Sequence, residues 1–428
     1  MKALLSIFSS LRADHVGCYG YGRDTTPTVD SVGRRGFVFE RAYPSDVPTF
    51  SSLSSLLLGL PGTSTGLLRG MVRGWPPGLI TLGQAMAGSH STAAVIPGFP
   101  LLAPGFHAFF DPAAGLRSPY GASAEQVNAA AMQWLREHYA EDFFLVLFYP
   151  DPHVPHEPPE GGPGAQDPDR EGPSLEAFYG SKRFSENRAS YAWLEGFPDL
   201  QYAVAAYDSE VRRADSSLGE MLSLLEELGI RDETLVVLTS DHGENLGEHG
   251  LFFSHEGLYD AAIRVPLVID LPSSRGGGKR FSQPVETRQI YGALLALAGL
   301  RRADEPSEVL LRLLQGETPE GEGAVTTQVD PPGRSLVKGG KKFIQPLEGK
   351  PELYDLEVDP GELHDLSGQL RELAEEMRAS LTKAVASMLS GRRDTLGGPS
   401  RDRSKKVIRS ELETVLFRKG EEKVTQAR

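Results

Sequence analysis

The chain has 428 residues, a formal charge of -14 and one cysteine, Cys18. That length exceeds what one hydrophobic core usually supports, so a large domain, a smaller one and a tail are expected. The negative balance, with no long basic block in the first 390 residues, argues against nucleic acid and anionic membrane as main partners. A lone cysteine rules out an intrachain disulfide and a cysteine-based zinc site, leaving oxygen and imidazole as metal ligands.

The opening "MKALLSIF" runs straight into "SSLRADH", too soon for a signal peptide, and reads as the first strand of a cytoplasmic protein. "ALLSIFS" (3–9), "FFLVLFY" (143–149) and "TLVVLTS" (234–240) are short runs rich in branched and aromatic residues, the pattern of strands buried on both faces. A helix is expected from Ser123, where Ser123 and Gln126 suit a capping box, with Val127, Ala131, Trp134 and Leu135 on one face. A second is expected from about Tyr202 to Leu228, turning Tyr207, Val211, Leu218, Met221 and Leu225 inward and ending at Gly229. Strands alternating with helices predict an α/β fold with a large, mostly parallel sheet covered on both faces.

Residues 157–190, rich in Pro, Gly and charge, read as a long surface insertion and a candidate lid. "SSRGGGK" (273–279) reads as a flexible turn, and "ALLALAGL" (293–300) as a core helix segment too short to span a bilayer. "AVTTQVD" and "SLVKGGKKFIQPL" alternate like antiparallel strands, so the expected division is a main domain over 1–323, a C-terminal antiparallel subdomain over 324–390 and a tail over 391–428. The tail carries 11 Lys/Arg against 6 Asp/Glu. "SKKVIRSELETVLF" within it is a candidate amphipathic helix, docking on the main domain or on a second copy, with a frayed end as the plain alternative.

Each long strand is followed at once by polar residues: Ser9-Ser10, Asp151-Pro152-His153 and Asp241-His242. Ligands of open α/β sheets bind beyond the carboxyl ends of strands, so these loops are expected to share one crevice. An Asp-His pair offers one hard oxygen and one imidazole, suited to Ca, Mg, Mn or Zn; taken alone it equally suits a turn cap. Glu244, Glu248 and His249 are expected to hydrogen-bond their own turn, and Arg12 and Asp14 are assigned no role.

Four blocks carry a resemblance. "SLRADHVGCYGYGRDTTPTVDSVGRRGFVFERAY" (10–43), "DPHVPHEPP" (151–159), "TLVVLTSDHGENLGEHGLFFSHEGLYDAAIRVPLVI" (234–269) and "PELYDLEVDPGELHDL" (351–366) resemble, in order and spacing, the sulfatase family of the alkaline phosphatase superfamily. The resemblance implies an alkaline-phosphatase-like fold and a divalent metal held by Asp241, His242 and the residue ending the first strand, an aspartate in the family but Ser9 here. It implies that His153 and His255 contact the anionic group or protonate the leaving oxygen, that Asp151 lies beside the substrate, and that Lys342 resembles a substrate-binding cation of the C-terminal strand, against the plainer reading of a solvated lysine. Aligning "SSLLLG" (54–59) with the family's "ASLLTG" puts Thr49 at the nucleophile, Ser51 at the proline and Leu53 at the arginine of Cys-x-Pro-x-Arg. No formylglycine is therefore expected. Threonine is the nucleophile in phosphodiesterase and phosphoethanolamine-transferase relatives, which implies a hydrolase of small sulfate, phosphate or phosphonate esters. The alternative is a catalytically degenerate member that binds an anionic ligand or a protein partner.

Overall fold

The computed structural model describes residues 1–67, 78–116, 118–156, 175–180, 182–195, 197, 199–300, 309–319 and 323–390. The tail from 391 and most of the insertion, 157–174, lie outside the described residues.

The three long apolar runs form the centre of an eight-stranded sheet. With β1 as Lys2–Phe8, β2 as Phe37–Phe39, β4 as Ser91–Val95, β5 as Ala108–Phe110, β6 as Phe143–Tyr149, β7 as Thr234–Ser240, β8 as Leu267–Asp270 and β9 as Lys279–Phe281, the order is β9-β2-β8-β7-β1-β6-β4-β5. β1 pairs in parallel with both β6 and β7, with Phe8 opposite Tyr149 and Ser240. β8 alone runs antiparallel to its neighbours β7 and β2. Lys279 belongs to β9, so the expected flexible turn at 273–279 gives way at its end to an edge strand.

Alternation along β1 divides the core in two. Leu4 and Phe8 join a layer beneath three helices: α1 (Pro27–Arg35), α3 (Ala124–His138) and α4 (Leu200–Glu227). Ala3, Leu5 and Ile7 join the opposite layer, packed against α2 (Thr49–Leu58). Each layer excludes water from one sheet face, and that burial is the main term favouring the fold. α3 begins with the Ser123–Gln126 capping box. α4 starts two residues earlier than expected because the Asp199 side chain accepts the Tyr202 N–H, satisfying a first-turn donor. Gly229 stops it at φ +70°, where a side chain would be strained.

The second sheet is five-stranded, β13-β12-β11-β10-β3, from Glu352–Asp355, Lys341–Pro346, Pro332–Lys338, Ala324–Val329 and Asp46–Val47. A helix, α5 (Arg371–Ser390), covers one face through Ala374, Met377, Leu381 and Val385. β3 comes from the first fifty residues and pairs in parallel with β10. The small sheet is thus tied into the main one by the segment that leads directly to Thr49.

Candidate active site

β1 and β7 end side by side, which brings Ser9 next to Asp241 although 231 residues separate Ser10 from Asp241. Asp241 Oδ1 accepts two backbone N–H groups, from Ser10 at 2.9 Å and His242 at 2.7 Å. Ser10 makes its bond from a left-handed backbone (φ +61°), and its carbonyl accepts the Tyr207 hydroxyl at 2.8 Å. The other carboxylate oxygen, Asp241 Oδ2, is buried with no hydrogen-bond partner and lies 3.5 Å from His242 Nε2.

Thr49 is the first residue of α2. The apolar positions Leu53, Leu56 and Leu57 seat that helix in the core, and Ser52 Oγ donates to the Asp241 carbonyl at 2.7 Å, fixing the helix start against the end of β7. Thr49 Oγ1 then lies 3.0 Å from His242 Nε2 and 3.0 Å from the Tyr120 hydroxyl. His242 Nδ1 is 2.8 Å from the Gly243 carbonyl, which only accepts, so Nδ1 carries a hydrogen. In the tautomer that leaves a lone pair on Nε2, Thr49 donates to His242 and Tyr120 donates to Thr49. Burial, followed by the charge of Asp241, pushes the Tyr120 phenol pKa up, so it stays a donor.

His153 stacks on Tyr120 with ring centroids 3.5 Å apart, and its Nδ1 donates to the Val154 carbonyl at 2.7 Å. Burial, with His242 and His156 opposing a further charge, pushes its pKa down to about 3. The His255 ring lies 4.8 Å from that of His242. The structure thus gathers Ser9, Thr49, His153, Asp241, His242 and His255 around one spot. Tyr120, in "SPYGASAEQ" outside the matched blocks, is the member that sequence reasoning missed; no local pattern marks it.

The side chains of Asp151 and Lys342 are held by other partners. Asp151 Oδ2 accepts the Ala124 N–H at the start of α3 and Oδ1 accepts from Arg213 at 3.2 Å. Burial and the neighbouring Glu210 carboxyl push its pKa up to about 8. Its described contacts join α3 to α4 and none reaches Thr49 or His242. Lys342 is fully buried, with Nζ 2.8 Å from Asp260 and 2.7 Å from Glu362, which corrects the reading of a solvated lysine. Arg12 is clamped by Asp14, Glu248 and the Glu244 carbonyl. Glu248 also accepts from Leu246 N, as expected of its turn. Leu53 is buried in the core layer under α2, so its position brings no cation to Thr49.

Among the described residues no three His, Cys, Asp or Glu side chains are placed to hold a metal ion. The fit of a cation rests on other atoms. Asp241 Oδ2 and Ser9 Oγ are buried without partners, and Oδ2 and Thr49 Oγ1 stand 3.5 and 3.0 Å from His242 Nε2. Ligands held at about 2.0–2.2 Å from one ion lie roughly 3–3.5 Å from each other. The spacing of Asp241 Oδ2, His242 Nε2 and Thr49 Oγ1 suits one divalent ion, with Asp241 the one carboxylate among them.

The family model described as Sulfatase matches residues 3–300. A sulfatase of Formosa agariphila is 30% identical over 246 residues, covering 54% of this chain and 48% of that protein. The Delta 4,5-hexuronate-2-O-sulfatase of Bacteroides thetaiotaomicron is 24% identical over 412 residues, 84% of each chain. Against several curated relatives the chain spans only about a third to half of their length. The crystal structure of the phosphonate monoester hydrolase of Agrobacterium radiobacter shares the fold, with a TM-score of 0.69 at 20% identity over 91% of this chain and 96% of that one. With the family model spanning most of the sheet and both strand-end loops, the chain belongs to the Sulfatase family.

Proposed function

We propose that the chain hydrolyses a small anionic ester of sulfate, phosphate or phosphonate, with Thr49 as nucleophile. The observation that carries this reading is the hydrogen-bonded chain Tyr120 to Thr49 to His242, with contacts of 3.0 Å at both ends of the threonine hydroxyl. His242 Nε2 draws the proton from Thr49, and Tyr120 stabilises negative charge as it develops on Oγ1. Attack forms a bond from Oγ1 to sulfur or phosphorus and breaks the ester bond, the alcohol oxygen leaving with a proton. Water then attacks the same centre and releases Thr49, since a threonine ester cannot collapse to an aldehyde. Thr49 opens α2, so the first-turn N–H groups there favour the transferred anion. A bound anion also raises the pKa of His153 by its charge, which suits that side chain to protonate the leaving oxygen. Were a divalent ion bound, Asp241, His242 and Ser9 would hold it and its charge would lower the Thr49 pKa; with Nε2 then a ligand, His242 would not also act as the base.

A second reading, anion or partner binding without turnover, is favoured by the scarcity of cations. Leu53 is in the core, and Lys342 and Arg12 are already paired with carboxylates, whereas phosphoryl and sulfuryl transfer depend on positive charge around the moving group. Turnover of 4-nitrophenyl phosphate, phenylphosphonate and sulfate, with and without Ca, Mg, Mn or Zn, separates the two. Release of nitrophenol that falls at least 100-fold in Thr49→Ala establishes the first, and release that Thr49→Ala leaves unchanged removes Thr49 from the chemistry. No turnover with any ion leaves the second.

A further inference from the structure

Tyr120 and His153 reach the Thr49 site from different loops, and the Asp151 carboxylate ties those loops together. Tyr120 belongs to the turn Pro119–Gly121 just before α3, and His153 to the loop just after β6. Asp151 Oδ2 accepts the Ala124 N–H at 3.0 Å, a first-turn donor that the Ser123–Gln126 capping box leaves over. The His153 N–H donates to the Pro150 carbonyl at 3.0 Å, closing a turn around Asp151. One side chain therefore joins the turn that carries His153 to the helix start that follows Tyr120. The two rings stack with centroids 3.5 Å apart and planes inclined by 5°. A slip of either loop breaks that stack and draws the Tyr120 hydroxyl from its 3.0 Å contact with Thr49.

Capping a helix needs one carboxylate, and a second one stands beside Asp151. Arg213 Nη2, on α4, donates to Asp151 Oδ1 at 3.2 Å and also to Glu210 Oε2. Both acids are buried, Asp151 at 8% exposure and Glu210 at 5%, whereas the Arg213 side chain is 35% exposed. One partly exposed guanidinium does not balance two buried charges, so the pair holds a proton. Burial, with the Glu210 carboxyl, pushes the Asp151 pKa up to about 8. A carboxylic acid against a carboxylate forms a strong O–H···O bond, which draws α4 into the same clamp. His156, on the loop of Asp151, feels the charge of Glu210 from the other side, and α3 presents the Ala124 N–H. Asp215 is the simpler case: from α4 it accepts the Thr28 and Val29 N–H groups at the start of α1.

We propose that Asp151 is a positioning residue, which with Glu210 locks the stacked Tyr120 and His153 rings in register with the Thr49 hydroxyl. The ring alignment stands by itself; only its effect on turnover rests on the hydrolase reading. The test is NMR of the histidine ring C–H signals in the full chain, with His153 assigned by its loss in His153→Gln, beside ester kinetics. The parent signal of His153 is expected upfield, displaced by the ring current of Tyr120. Asp151→Ala should lose that displacement. Asp151→Asn should keep it, because the amide oxygen still accepts the Ala124 N–H and the amide N–H replaces the shared proton toward Glu210. Asp215→Ala, the loss of a cap without a second carboxylate, should lower the melting temperature and leave the His153 signal in place. Raising the pH from about 7 to about 9 removes the shared proton and sets two carboxylates against each other. The His153 signal should then move in the parent and stay in Asp151→Asn, a comparison that decides the matter if Asp151→Ala does not fold. In kinetics, Asp151→Ala should lower kcat about tenfold with KM within about twofold, and Asp151→Asn should restore it. A His153 signal unmoved in Asp151→Ala, moved as far in Asp215→Ala, or equally pH-dependent in the parent and Asp151→Asn overturns the proposal. Ring signals as expected, in a protein that turns over no ester, sink the hydrolase reading alone.

Discussion

On the β7 side of the crevice, Asp241 and His242 are oriented by main chain: Oδ1 takes two backbone N–H groups, and the imidazole is held by the carbonyl of the next residue. On the opposite side, Ser9, directly after β1, has a buried hydroxyl that finds no partner, and the Thr49 hydroxyl is held by side chains alone, a tyrosine and the histidine. Backbone anchors persist whatever is bound, because they belong to the ends of two paired strands. Side-chain anchors and an unpartnered hydroxyl depend on what enters the site. The aspartate–histidine half is a rigid base against which a substituted half is set, and the chemistry left to the protein is decided by the second half.

Breaking the rigid half is expected to have the largest effect. Asp241→Ala removes the acceptor of two buried N–H groups and should cost on the order of 3 kcal/mol in stability, read from urea unfolding; Asp241→Asn, which keeps an amide oxygen for them, should cost less than half of that. If both variants unfold alike, the backbone anchoring is not what the carboxylate provides.

The support beneath Thr49 offers the next test. Asp46, in β3, accepts from Gly62 N and Ser55 Oγ, and burial pushes its pKa up from 3.8 to about 6. The folded state then binds more protons than the unfolded state between about pH 4 and 6. Its stabilising contribution is present below that window, is lost as pH rises through it, and stays lost above. At 1.36 kcal/mol per unit the span is about 2–3 kcal/mol. Asp46→Asn should flatten the change in urea midpoint between pH 4.5 and 7.5 relative to the parent; an unaltered slope would show that Asp46 does not titrate there.

Restoring a carboxylate to the substituted half sharpens the comparison. Ser9→Asp places a charge beside Asp241 Oδ2, which should lower stability in chelator and raise it when Ca or Mn is added. The gain is roughly 1.4 kcal/mol once free ion exceeds its Kd tenfold, followed as a thermal shift, with a smaller shift in the parent. Equal shifts in the two proteins would show that Ser9 does not face the ion. An effect of about the same size, on turnover alone, is expected of Tyr120→Phe, which keeps the stack on His153 but removes a hydroxyl partner of Thr49. Turnover should fall roughly tenfold, about 1.4 kcal/mol, with the melting temperature nearly unchanged.

Much of this was legible in the chain itself. β1, β6 and β7 are continuous apolar runs because both their faces are buried, and the capping box at Ser123 is a four-residue pattern complete in itself. The short strands at Phe37, Ser91 and Ala108 were not, because three to five residues carry too little periodicity to separate a strand from a loop. Lys342 shows a harder limit. Its strand alternates like a half-exposed one, yet Asp260 and Glu362, 82 and 20 positions away along the chain, bury its ammonium. Asp151 likewise sits in a matching block, and its carboxylate is engaged by the first turn of α3.

Local order along the chain determined the strands, the long helices, the family and the residue types at each strand end, because side-chain period and motif spacing are properties of neighbouring positions. Tertiary structure decided which of them meet. Thr49 reaches His242 across 193 positions and Tyr120 across 71, and Asp208 collects His15, Tyr21 and Arg23 from nearly as far. Such contacts follow from sheet order and helix packing, through burial summed over the whole core, and no short segment contains that sum.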